Sequence, residues 1–406
     1  AKSCEPYVQA LDTWNNEQRD IESMQALIQV GLKAFKKCKS DYMRLRYAYQ
    51  LIRLAHYTRN SKQALELYDF LMPKLDVPTF DGKKSLIYYW ILSLKAGALR
   101  NIKQYPEASY LFSKVYANCP ELQDSALRSF LIKSESEWKA CMAFCTTNSE
   151  RALLHAMRAY EKGSKALNAM RAIYTLDPQS KYLDILLIKE LEELEEDLIG
   201  HTFNRSQNNP RSGIEAYATD LRAFAQTVIA EKKVTKLDLW KASEAYILLL
   251  TGEQRAASIA LQKLAIEVKD DVLAEQVDAF ILAQQIDELQ EINDATEALA
   301  YDIIRNNKTY RSNVYFSRFL GDKLHDLYQK HGDPGKAYLC HNTYHDLKVE
   351  QPEQVIKNLA ILVERGQLND LEQVLLEQGA GQVMHDEIFD LLAVHYMQIG
   401  NFEAAL

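Results

Sequence analysis

Apolar residues recur at i, i+3, i+4 and i+7 along almost the whole chain, and no stretch sustains a two-residue alternation. The first period lays side chains along one face of a helix. The second, which a half-buried strand requires, is missing, so the chain is confined to all-α architectures. Turn chemistry agrees. The 406 residues include 14 Gly and 9 Pro, about half of average usage, whereas sandwiches, propellers and loop-rich α/β enzymes need many residues at positive φ. A hydrophobic content of 47% excludes disorder. The length exceeds the size at which one core keeps growing, which points to two domains or a solenoid.

The helices come in pairs. Leu45, Ala48, Leu51, Ile52 and Ala55 form one stripe, and Ala64, Leu67, Tyr68 and Leu71 form the next, joined by the polar connection Thr58-Arg59-Asn60-Ser61. Aligning Ala64 with Ala108 brings a second unit into register, with Ala96, Leu99, Tyr105, Phe112 and Val115, closed by Pro120. Further units surround Gly252, Gly332 and Gly400, and another spans 147–178 and ends at Pro178. Small residues permit close helix approach, and Pro stops a helix it cannot continue.

This pattern resembles the tetratricopeptide repeat, which implies a superhelix of stacked antiparallel helix pairs. The departures are an irregular spacing and the presence of Arg59 and Lys103 in the turn slot where that family uses Gly. The segments Ala1–Tyr7, Arg44–Gln50, Arg53–Tyr57 and Tyr89-Trp90 through Ala98 also resemble a group of long, uncharacterised bacterial helical-repeat proteins thought to be exported. That resemblance implies an internal piece of a longer protein and a cell-envelope setting, periplasmic or outer-membrane associated, with a cytoplasmic one left open. It implies no activity.

Charge is strongly segregated. Residues 1–189 carry 28 Lys+Arg against 19 Asp+Glu, a net of +9, and residues 190–406 carry 20 against 37, a net of −17. Such polarity fits different partners for the two halves; drifting composition on solvated helix faces accounts for it equally well. The basic excess lacks any Lys/Arg block or aromatic-basic signature, so nucleic acid is not an expected partner. The segment GHTFNRSQNNPRSG at 200–213, polar and rich in turn formers, separates a basic subdomain 1–199 from an acidic subdomain 214–406. A second break is expected at Asp76–Lys84. The longest apolar run, about Leu86–Leu94, is far shorter than the roughly 18–20 residues of a membrane span.

Catalytic signatures are absent: no nucleophile elbow, phosphate loop, HExxH or CxxC occurs. No enzyme activity and no cofactor are expected. The carboxylates of Glu190–Asp197 are interrupted by Leu191, Leu194 and Leu198 at helical spacing, which reads as a solvated face. Cys141 and Cys145, at i, i+4, and His341 with His345 could each contribute to a metal site, with His331 as a third ligand. Packed thiols and a packed histidine are the simpler reading. In the repeat family it resembles, the first helix of each unit lines a concave face. By that resemblance Arg46, Tyr49, Arg53, His56 and Tyr57 face the groove from one unit, and Trp90, Arg100 and Asn101 from the next. Later units offer Asp322, Asp326, Glu387 and Asp390. Cationic and aromatic groups on one face suit a protein or peptide partner bearing carboxylates. The function expected is a non-enzymatic interaction scaffold; the alternative is a glycan- or nutrient-binding component of a bacterial surface complex.

Overall fold

A computed structural model describes residues 2–8, 20–77, 79–80, 83–160, 164–200, 212–342, 346–377 and 385–406. These are helical almost throughout. The exception among the described residues is a two-residue antiparallel ladder, Thr79–Phe80 against Lys83–Lys84. It falls in the break expected at Asp76–Lys84 and reverses the chain between two helices.

Two compact units divide after Lys189, the point at which the charge balance changes sign. The polar segment at 201–211 lies outside the described residues. In the unit Ala1–Lys189, the helices Ile21–Lys37, Asp41–Tyr57, Ser61–Leu71, Leu86–Asn101 and Tyr105–Asn118 follow one another, each packed on its successor. Asp41–Tyr57 also packs along Leu86–Asn101, its next neighbour but one. Stacking of this kind lets each pair bury its apolar stripe on the next. The stripe residues Leu45, Ala48, Leu51, Ile52 and Ala55 are all buried, together with Ala64, Leu67 and Leu71. Their helices start where short polar side chains satisfy free amides. Ser40 Oγ accepts from Met43 N, and Asn60 Oδ1 accepts from Gln63 N.

The turns reveal the repeat most directly. Arg59, Lys103, Gly252, Gly332 and Gly400 occupy the same slot in their units, and all five lie in the left-handed region, at φ 60°, 66°, 81°, 88° and 77°. At four of them the helix closes with the paired bonds of a Schellman motif. Lys103 N donates to Arg100 O and Gln104 N to Leu99 O; the corresponding bonds recur at Gly252 with Glu253, Gly332 with Asp333, and Gly400 with Asn401. Arg59 N donates to His56 O. The two non-glycine residues therefore take the glycine conformation at a steric cost of about 1–2 kcal/mol each. Pairing geometry, not residue identity, is what repeats.

In the unit Glu190–Leu406, the helices Ile214–Glu231, Leu237–Leu250, Gln254–Glu267 and Asp271–Asp287 again pack in succession. Beyond them, Asp294–Asn306, Val314–His331, Pro334–Leu339 and Asp370–Glu377 meet around a buried ionic network. Lys336 Nζ lies 3.0 Å from both Glu297 Oε1 and Glu372 Oε1. Tyr328 Oη donates to Glu297 Oε1 at 2.6 Å, and Asn369 Nδ2 donates to Glu297 Oε2 at 2.6 Å. Glu372, almost wholly buried, also receives Arg365 and the Asn369 amide, while Asn369 Oδ1 caps Glu372 N. The half-exposed Arg365 and the buried Lys336, which also lies 3.6 Å from Asp333 Oδ2, thus offset the carboxylates of Glu297 and Glu372, which could not be buried alone.

Candidate functional site

The face of Asp41–Tyr57 that meets Leu86–Asn101 is where most of the expected partner-binding residues converge. Residues 49, 53 and 56–57 are spaced so that they share one side of the helix. The rings of Tyr49 and Trp90 are 5.5 Å apart and tilted by 50°. Seven residues further along each helix, a Cβ placed on Gly97 would come within 3.0 Å of His56 Cε1. The same offset of 41 residues joins both contacts, so the two helices run parallel, in register. Gly97 is there because the imidazole fills its space.

Arg53 sits between aromatic faces. Its guanidinium carbon is 5.7 Å from the Tyr49 ring centre and 6.0 Å from that of Tyr57. Its Nη1 lies 3.5 Å from Glu5 Oε1, an ion pair whose carboxylate is about half exposed. Glu5 belongs to the short helix Glu5–Val8, which packs on Asp41–Tyr57; its Val8 and the preceding Cys4 are buried in the same core. The chain's own N-terminal segment therefore already presents a carboxylate to this face. No periodicity in the sequence linked Glu5 to Arg53, because the pairing spans 48 residues.

Burial shapes the remaining groups. The His56 ring is largely enclosed, which pushes its pKa below the ordinary histidine value, and its buried Nδ1 has no hydrogen-bond partner among the described residues. Burial raises the Tyr49 phenol. Trp90 is half-buried. Its ring is engaged by Tyr49 on one side.

Arg46 stands apart. It donates to the Tyr42 hydroxyl and lies 4.7 Å from that ring, on an exposed surface. Arg100 and Asn101 are exposed at the C-terminal end of Leu86–Asn101, about 15 Å along the helix from Trp90. There Asn101 Nδ2 donates to Ser61 Oγ at 3.3 Å, and both border a shallow hollow with Arg59, Asn60 and Lys62. The eight residues therefore divide into an aromatic-cationic cluster, one outlying arginine and a polar edge at the turns.

The other candidate sites resolve differently. Cys141 is in the helix Glu135–Ala143, but that helix ends before Cys145. Both thiols are buried beside Trp138 and Leu154. Burial pushes Cys141 up to about 12, far from a reactive thiolate. His345 lies outside the described residues. His341 Nε2 is 3.1 Å from Asp322 Oδ1, its ring is 5.1 Å from that of His325, and His325 Nδ1 bonds to Ala337 O at 2.8 Å. Among the described residues no group of three His, Cys, Asp or Glu is placed to hold a metal ion, and no helix is long and apolar enough to cross a membrane.

Compared with protein-family models, curated proteins and solved structures, the chain matches none of them.

Proposed function

We propose that the protein is a non-enzymatic binding scaffold, a TPR-like superhelix whose basic N-terminal unit takes an acidic peptide segment of a protein partner. The observation that carries this reading is Arg53, held between Tyr49 and Tyr57 and already paired with a carboxylate, that of Glu5. A guanidinium flanked by rings is partly desolvated, which strengthens a charge-assisted bond to an incoming carboxylate. The Glu5 pair is long and half-exposed, and pairs of that kind contribute little. A partner's acidic segment can therefore displace it at small cost. The five positive-φ turns and the parallel register of Asp41–Tyr57 with Leu86–Asn101 support the superhelix. The peptide reading is preferred to glycan stacking because the Trp90 ring is already packed against Tyr49.

The test is capture of partners by the full chain and by an Arg46→Glu/Arg53→Glu variant, with melting curves for both. The variant is expected to lose its partners while its melting temperature stays within a few degrees. An unchanged set of captured proteins would remove the groove from consideration. The cell-envelope setting belongs to the same reading, and fractionation of cells expressing the protein would check it.

A further inference from the structure

Among the described residues, the non-glycine positions at positive φ are all basic: Arg59 at 60°, Lys103 at 66° and Lys232 at 55°. The negative end of a helix attracts a cation at such a place, but that attraction is weaker than the steric cost of the left-handed conformation. A strained residue that persists against such a cost points to a use for its side chain. Arg59 and Lys103 lie in neighbouring turns of the basic unit.

Those two turns carry the same tetrapeptide, Arg59-Asn60-Ser61-Lys62 and Arg100-Asn101-Ile102-Lys103. Their offset is 41 residues, the one that joins Tyr49 to Trp90 and His56 to Gly97. Because Asp41–Tyr57 and Leu86–Asn101 run parallel in that register, their C-terminal turns come together, about 8–10 Å apart. Leu86–Asn101 continues past Ala98, the register partner of Tyr57. The glycine slot therefore falls on the first residue of one tetrapeptide and on the last of the other, and both are cations.

The turns are tied together by Asn101 Nδ2, which donates to Ser61 Oγ at 3.3 Å, beside an open hollow of about 770 Å³. Arg59, Asn60, Ser61, Lys62 and Asn101 line it. Arg100 and Lys103 flank Asn101 and Ile102 at its edge. Glu66 and Glu107 follow Lys62 and Lys103 by one helical turn, but Glu107 is held by Lys95 at 3.4 Å. All four cations are exposed, and among the described residues none of them makes an ion pair.

Neutral donors are grouped with the charges. Asn60 Oδ1 is used in capping Gln63 N, which leaves its Nδ2 to donate. Ser61 Oγ accepts from Asn101, which turns its own proton toward another acceptor. Unpaired cations with neutral donors between them suit an anion with several oxygens, since each oxygen takes a charge-assisted bond.

We infer that the paired turns form a binding site for a compact multivalent oxyanion, with Arg59 and Lys62 in the hollow and Arg100 and Lys103 at its edge as counter-charges. The inference does not rest on the peptide reading, because Arg53 and its flanking rings take no part in it.

Calorimetric titration of the full chain with tripolyphosphate and with citrate tests it and separates phosphate from carboxylate as the source of the oxygens. Saturable one-to-one binding of at least one of them is expected, weakened by salt. Arg59→Gly and Lys103→Gly each remove a cation and keep a backbone conformation that glycine adopts freely. Each is expected to lower the affinity roughly fivefold, and the two together about tenfold or more, with no loss of stability in circular-dichroism melts. Lys232→Gly makes the same change in the acidic unit, and Arg53→Gln removes the cation of the peptide groove. Both should bind within about a factor of two of the wild type. No saturable binding of either anion, unchanged affinity in the Arg59→Gly/Lys103→Gly double variant, or an equal loss in Lys232→Gly or Arg53→Gln would overturn the assignment.

Discussion

At the scale of single residues, the turn slot carries the clearest argument. Lys103 holds φ 66° and closes a Schellman motif that elsewhere uses glycine. Its strain is about 1–2 kcal/mol, against the roughly 0.5–1 kcal/mol of extra chain entropy that glycine loses on folding. Lys103→Gly is therefore expected to stabilise the protein by about 0.5–1 kcal/mol, read as a higher urea midpoint at unchanged slope. A lower midpoint would mean that the lysine side chain supplies an interaction worth more than the strain. The sequence showed that Arg59 and Lys103 stood in the glycine slot. Only the backbone dihedrals showed that the slot keeps its conformation. Residue type biases φ without dictating it, and the flanking helices supply the rest.

At the scale of elements, the buried ionic network joins four helices of the acidic unit. Lys336→Met leaves Glu297 and Glu372 facing each other without their shared cation. Removing one partner of such a pair costs about 3–5 kcal/mol, and a loss of about 3 kcal/mol or more is expected in chemical denaturation. Adding Glu297→Gln removes one of the stranded charges and should recover part of that loss. Additive losses would indicate that the three side chains act separately.

The network also sets an acid limb. Burial works to raise the Glu372 pKa, but the Asn369 amide, Arg365 and Lys336 outweigh it and hold the pKa below its ordinary 4.5. A carboxyl depressed in the folded state contributes its full stability above pH 4.5 and loses it as pH falls from there through the folded value. Lys336→Met should therefore show a shallower loss of stability below pH 4.5 than the wild type. None of this was legible beforehand. Glu297, Lys336 and Glu372 belong to three separate helices, and each reads as an ordinary surface charge when only its own stripe is considered. The acidic run at Glu190–Asp197 was similarly read as a solvated face, although Glu195 accepts from Tyr246, 51 residues away.

At the scale of the molecule, each unit has a core of its own. Met24, Ile28, Leu45 and Ile52 belong to a cluster confined to the basic unit, and Leu320, Leu324, Ile356 and Leu359 to one confined to the acidic unit. In repeat architectures stability is built from local units and their nearest neighbours. Hydrogen exchange on Lys336→Met is accordingly expected to show faster exchange in helices such as Asp294–Asn306 and Val314–His331. Protection in Asp41–Tyr57 and Leu86–Asn101 should stay unchanged. Uniformly faster exchange would show that the chain opens as one cooperative body.

The sequence by itself determined the helical class, the buried stripes, the positions of the paired turns and the change of charge sign near residue 190. These follow from local chemistry: the 3.6-residue period, the scarcity of turn formers and the sum of side-chain charges. Tertiary structure alone decided which of the expected binding residues share a surface. It gathered Tyr49, Arg53, His56, Tyr57 and Trp90, left Arg46, Arg100 and Asn101 elsewhere, brought Glu5 to Arg53, and made a hollow from residues of different helices. Period and composition constrain one helix at a time. The approach of two helices depends on small residues such as Gly97, whose purpose is visible only in the side chain that fills the space it leaves.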